Sequence, residues 1–141
     1  MTLADKVYRY QIVWGIVGLI AGAFGLFYSR GLPYSGAHGA VTGLRHYELR
    51  WMTYNGLGAT VAIALAACGV AAGALRKPML AWIAAAGFTV IALQTLVQWR
   101  TGATSNIFGS TGPTFGFSLA LALLYAITAR LASVVTVEAS R

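Results

Sequence analysis

The stretch GVAAGALRKPMLAWIAAAG, residues 69 to 87, places a short charged turn between two apolar segments. Arg76, Lys77 and Pro78 form the whole connection between them. So short a link allows only a tight helical hairpin, because Pro78 prevents the first helix from continuing. The two segments are therefore predicted to be antiparallel helices that lie side by side.

Two further segments of the chain are as apolar as those beside the turn. The 141 residues are 58% hydrophobic and 9% charged, which lies outside the range of ordinary soluble proteins. A helix needs roughly 20 apolar residues to cross a bilayer core. We predict an all-α integral membrane protein, a single domain of four transmembrane helices in an antiparallel bundle. The spans are residues 10–29, 52–75, 79–99 and 114–129, with external loops at 30–51 and 100–113.

Basic residues flank the spans and set the predicted orientation. With both termini in the cytoplasm, the inside set is Lys6, Arg9, Arg76, Lys77, Arg130 and Arg141, and the outside set is Arg30, Arg45, Arg50 and Arg100. The positive-inside rule favours this orientation. Lipid phosphates explain the net charge of +7 better than nucleic acid does, so no nucleic-acid partner is expected. Abundant Arg, Ala and Gly indicate a GC-rich bacterium, and hence a multi-pass protein of the bacterial plasma membrane.

Small residues recur on one face of the first two spans. Their spacing of three or four residues lets helix backbones approach closely in lipid, so these faces should meet other protein. In contrast, we expect Leu65 to face lipid. The first face is Gly15, Gly18, Gly22 and Gly25, and the second is Ala59, Ala62, Ala66, Gly69 and Gly73. The predicted partner-facing residues are Gly15, Gly18, Gly22, Gly25, Gly69 and Gly73, together with His46 and Arg50.

Ionisable residues are concentrated in GLRHYELRW, residues 43 to 51. If the second helix extends upstream to Leu44, Glu48 and Asn55 share its small-residue face. In the third span Ala84, Gly87, Gln94 and Gln98 share a face, and Thr95, Thr114 and Ser118 lie at the same height. The pattern predicts a polar vestibule that opens outward above an apolar floor in the inner halves of the spans.

The polar residues around this vestibule have two interpretations. They could bind a ligand or a lipid, because polar groups inside a membrane bundle often mark functional sites. Alternatively, the amides are hydrogen-bonding glue between helices, and the arginines contact lipid headgroups. The candidate ligand-binding or lipid-binding residues are Arg45, Arg50, Asn55, Gln94, Gln98 and Arg100.

The sequence carries no catalytic or metal-binding signature. His38 and His46 have no third ligand nearby, and Cys68 is the only cysteine, so no catalytic residue, metal or cofactor is predicted. The spans contain no Asp or Glu, which argues against ion-coupled transport.

One grouping invites comparison with an enzyme family. Arg45, His46, Glu48, Arg50 and Asn55 are similar to the motif region of the membrane glutathione-transferase and eicosanoid family. In that family the Asn precedes the Glu within a few residues, whereas here Glu48 comes first. We do not adopt the activity for this chain.

The sequence therefore favours a non-enzymatic protein, an accessory, assembly or stabilising subunit of a larger bacterial envelope membrane complex. Its expected partners are membrane lipids and other membrane subunits or a second copy of the chain. One alternative is a lipid-binding or lipid-modifying protein that uses the outward vestibule. Another is a small-solute transporter built from an oligomer.

Overall fold

The computed structural model of the chain describes residues 2–29, 56–101, 107–108 and 112–138. These ranges contain four α-helices: α1 (Leu3–Ser29), α2 (Gly56–Ala74), α3 (Pro78–Thr101) and α4 (Gly112–Glu138). Each helix is long and apolar enough to cross a membrane. Within these ranges the prediction of an all-helical fold with four candidate spans is confirmed, and α1 and α4 continue beyond the predicted spans.

The start of α1 is fixed by a capping box. The Asp5 backbone N–H donates to Thr2 Oγ1 at 3.2 Å, and the Thr2 backbone N–H donates to Asp5 Oδ2 at 3.0 Å. Each side chain thus satisfies a backbone donor that the first turn of a helix leaves open. Helix α1 therefore starts two turns before the apolar run that predicted it.

The end of α2 and the start of α3 form the predicted tight turn. Arg76 has a positive φ of 52°, and the Lys77 N–H donates to the Ala72 carbonyl at 3.0 Å. This is the Schellman arrangement that commonly ends a helix, although glycine is the usual residue at the left-handed position. Pro78 then occupies the first helical position of α3, where its missing N–H costs nothing.

The buried face of each helix repeats at intervals of three and four residues. This 3.5-residue repeat is typical of helices that pack at shallow angles along their whole length. The buried positions are Tyr8, Gln11, Gly15, Gly18, Gly22 and Gly25 on α1; Ala59, Ala62, Ala66, Gly69 and Gly73 on α2; Ala81, Ala84, Phe88, Ile91 and Thr95 on α3; and Thr114, Ser118, Leu121, Tyr125, Thr128 and Ala132 on α4.

Helices α1 and α2 approach each other through their glycines. A Cβ atom added to Gly15 would lie 2.6 Å from Val70, and one added to Gly22 would lie 2.6 Å from Ile63. At the other end of the pair, Gly73 packs against Ile12. Residue numbers therefore rise along α1 as they fall along α2. The small-residue faces of the first two spans meet within one chain.

Two sequence predictions about which side of a helix faces the bundle are wrong. Leu65 does not face outward, because its side chain packs over Gly87 of α3. On α3 the buried face runs through Phe88 and Thr95, while Gly87 and Gln94 lie beside it and are half-buried. Phe88 explains the rotation, since its ring stacks on Tyr125 of α4 with centroids 6.1 Å apart and has more apolar surface to bury than a glycine.

Candidate functional site

Much of the predicted outer site lies outside the described residues. This applies to Arg45, His46, Glu48, Arg50 and Asn55, and also to the side chain of Gln98. Two of the predicted binding residues are described. Gln94 is half-buried on α3, and Arg100 is exposed at the C-terminal end of the same helix.

The end of α3 and the start of α4 bury three hydroxyl side chains that the sequence predicts to lie at one height. Thr95, Thr114 and Ser118 are each fully buried. The Thr95 hydroxyl donates to the carbonyl of Ile91 on its own helix at 3.0 Å. Such a bond satisfies a buried hydroxyl locally, so Thr95 needs no ligand to do so.

The glycines predicted to face a partner are covered by helices of this chain. Gly15, Gly18 and Gly22 of α1 pack against α2, and Gly69 packs against the Tyr125 ring of α4. Gly73 packs against the backbone of Tyr8, and Gly25 is also buried. These glycines therefore serve close packing inside the chain, and the surfaces left to a partner are the outward faces of the helices.

The predicted apolar floor of the inner half is wrong. Gln11 on α1 is 1% exposed, and neither its amide nitrogen nor its amide oxygen has a hydrogen-bond partner within the described ranges. The Tyr125 hydroxyl is buried and likewise lacks a partner there. Nearby, the Thr128 hydroxyl donates to the Leu124 carbonyl at 2.8 Å. The inner half of the bundle thus contains an amide and a phenol among small residues.

A signal for Gln11 was present in the sequence. It lies four residues before Gly15 and so continues the series of Gly15, Gly18, Gly22 and Gly25. A series of small residues alone omits this glutamine, although its position is on the same face.

A charged cluster lies at the inner end, which we define as the end that contains the start of α1 and the α2–α3 turn. Arg76 Nη2 donates to Asp5 Oδ1 at 2.9 Å, and the Thr2 hydroxyl donates to Asp5 Oδ2 at 2.8 Å. The Arg76 guanidinium also lies 5.7 Å from the centroid of the Tyr8 ring, a cation–π distance. The sequence placed Arg76 on the inner side but did not pair it with Asp5.

An open groove of about 340 Å³ adjoins this cluster. Arg9 and Arg76 line it from α1 and from the turn, and Asp5 is also part of the lining. Its apolar wall consists of Tyr8, Ile12 and Gly73. We call this feature the inner groove.

The described residues support binding chemistry more than catalysis. Among them no three His, Cys, Asp or Glu side chains are grouped so that they could hold a metal ion. Their polar groups are amides and hydroxyls in the bundle and guanidiniums at its ends, which can hydrogen-bond and bind anions. No protein-family model, curated protein or solved structure matches the chain. The function is therefore argued from the residues themselves.

Proposed function

We propose that the chain is a multi-pass protein of the bacterial plasma membrane, an antiparallel four-helix bundle that acts as a non-enzymatic accessory subunit of a larger membrane complex. The absence of charged residues from spans 10–29, 52–75, 79–99 and 114–129 supports insertion of all four. The reversed residue order of the α1–α2 contacts supports the antiparallel arrangement. Cytoplasmic termini follow from the excess of basic residues on that side.

The outward face of α1 is the observation that carries the subunit proposal. In the most apolar part of α1, 28% of the residues are buried inside the bundle. The corresponding share is 39% in each of the other three helices. Large apolar side chains follow this face at helical spacing, and each is at least 46% exposed: Val13, Ile16, Ile20, Phe24 and Phe27. We call this row the α1 ridge.

The outer part of the ridge is shaped to receive another helix. Ile20, Ala23, Phe24 and Phe27 line a shallow apolar hollow on the surface of α1. The small Ala23 lies between large neighbours, so a helix from another membrane subunit can approach α1 closely there. Aromatic rings at such a contact have a large area to contribute to binding.

The bundle interior fits the same role. Alanines fill most of the central cluster around Phe88 and Tyr125, and the span residues include no carboxylate that could carry a proton or a coupled ion. A subunit that stabilises a complex needs a rigid scaffold and an outward contact surface. This chain has both features.

Purification in mild detergent followed by native mass spectrometry tests the proposal. We expect a stoichiometric membrane partner with the native chain and its loss in the double variant Ile20→Ala and Phe24→Ala. The matched control is Val90→Ala with Leu93→Ala, which shortens two exposed apolar side chains on α3 instead. Equal retention of the partner in both variants, or a chain that purifies without any protein partner, would contradict the subunit proposal. A second copy of the chain in place of a different subunit would show that the ridge serves a homo-oligomer.

A further inference from the structure

The inner groove combines two guanidinium groups with an apolar wall. Arg9 comes from the second turn of α1 and Arg76 from the α2–α3 turn, so two separate elements of the fold bring them to the same groove. Toward the spans the wall continues through Ile12 and Gly73. A ligand suited to this groove has an anionic group at one end and apolar carbon beside it.

Arg76 is held in position for such a ligand. Its guanidinium is oriented by the 2.9 Å bond to Asp5 and by the Tyr8 ring. That bond uses one of the five N–H donors of the group. Its backbone φ is 52°, a left-handed conformation that glycine adopts more readily than other residues.

The charge around the groove favours an anion. Lys6, Arg9, Arg76 and Lys77 contribute four positive charges against the one carboxylate of Asp5. A guanidinium matches the oxygens of a phosphate group in a planar, two-bond geometry that an ammonium cannot offer. The groove volume of about 340 Å³ lies within the range of small-molecule sites.

We propose that the inner groove binds a phosphate group through Arg9 and Arg76, and that this group is the headgroup phosphate of an anionic lipid or a soluble phosphate compound. The groove lies at the level of the lipid headgroups if the chain is inserted in the membrane as proposed above, so this inference rests on that proposal. Asp5 acts as an internal competitor, because its carboxylate occupies the Arg76 donor that a phosphate oxygen would otherwise take. Ile12 and Gly73 lie where the first carbons beside the phosphate would run.

Binding of phosphatidylglycerol to the full chain in mild detergent, followed by native mass spectrometry, tests the proposal. Phosphatidylcholine serves as the lipid with no net charge, and inorganic phosphate as the soluble probe. The variants Arg9→Gln and Arg76→Gln should each weaken phosphatidylglycerol binding about tenfold or more, as expected for a lost charge-assisted hydrogen bond. The matched controls Lys6→Gln and Lys77→Gln remove the same charge from neighbouring residues that do not line the groove. They should weaken binding only about fivefold, as for general surface attraction.

The variant Asp5→Asn separates binding from folding. It breaks the same ion pair as Arg76→Gln but leaves both guanidiniums in place. The Tyr8 ring still orients Arg76 and the competing carboxylate is gone, so phosphatidylglycerol binding should be retained or strengthened. If Asp5→Asn weakens binding as much as Arg76→Gln does, the pair has only a structural role and the proposal is overturned. Equal losses in the arginine and lysine variants would overturn it too, since they indicate diffuse surface charge.

The two sources of the phosphate are distinguished by the probes. Arginine-dependent preference for phosphatidylglycerol, with no competition from millimolar inorganic phosphate, identifies a lipid headgroup. Arginine-dependent binding of inorganic phosphate without any lipid preference identifies a soluble compound. Binding of neither probe refutes the groove as a phosphate site while leaving the subunit proposal untouched, because that proposal depends on the α1 ridge.

Discussion

The variant Gly69→Ala tests the packing between α2 and α4. A methyl group at Gly69 would overlap three atoms of the Tyr125 phenol. The ring cannot simply turn away, because it is 1% exposed and stacked on Phe88 with an interplanar angle of 12°. The methyl group must therefore displace the ring or separate the two helices.

The expected change in the free energy of unfolding follows from two opposing effects. Overpacking a close-packed core costs about 1–3 kcal/mol, whereas replacing glycine by alanine inside a helix gains about 1 kcal/mol. Gly116 on α4 is the matched control, since a Cβ there would meet no atom within 4 Å. Gly116→Ala should therefore show most of the stabilisation that alanine gives over glycine inside a helix. Both variants share this stabilisation, so the difference between their free energies of unfolding leaves the packing cost of about 1–3 kcal/mol.

Equilibrium unfolding in mixed micelles, followed by circular dichroism, measures both variants. The double variant Gly69→Ala with Tyr125→Phe adds a check, because removal of the hydroxyl relieves part of the overlap and should reduce the cost of the alanine. Equal stabilisation by Gly69→Ala and Gly116→Ala would refute the reasoning. It would mean that α2 and α4 are not held at the observed distance.

Two further variants test the interior and the corrected facing. Gln11→Leu should raise the free energy of unfolding by about 1–3 kcal/mol, because it removes a buried amide that has no hydrogen-bond partner among the described residues. Unfolding in the same micelles measures it, and a loss of stability instead would mean that the amide is hydrogen-bonded in the native protein. Leu65→Phe should cost about 1–3 kcal/mol, since Leu65 already fills the space over Gly87. The control Val90→Phe enlarges a residue that is 57% exposed and should change stability little; similar effects of the two would restore Leu65 to a lipid-facing position.

The faces of α1 and α2 could be predicted because they depend on residue size alone. Glycine and alanine at intervals of three and four mark the surface where backbones meet, whatever the partner is. Gly15 and Gly22 lie against α2 as that logic requires. What the spacing could not reveal is that this partner belongs to the same chain.

The buried face of α3 depends on the helices packed against it, so the sequence alone did not predict it correctly. Ala84 lies on both the predicted and the observed face, so the pattern alone left two rotations open. The Phe88 ring and its stacking on Tyr125 select one of them. Such pairings between helices distant in sequence are set by side-chain shape and cannot be read from the periodicity of one segment.

The inner groove shows a different limit. The predicted hairpin and orientation place Lys6, the neighbour of Asp5, and Arg76 at the same end of the bundle. The bond between Asp5 and Arg76, however, joins residues 71 positions apart and needs the left-handed conformation of Arg76 at the turn. Glycine is the usual residue at such a position, so the residue pattern of the turn does not point to an oriented guanidinium there.

Cysteine labelling in intact cells tests the central claim, that the four helices cross a membrane in alternating directions. In a Cys68→Ala background, single cysteines at Lys6, Lys77 and Ser105 are probed with a reagent that cannot cross the membrane. We predict that position 105 reacts in intact cells, while positions 6 and 77 react only after permeabilisation. Labelling of positions 77 and 105 from the same side, or of all three without permeabilisation, would contradict the account.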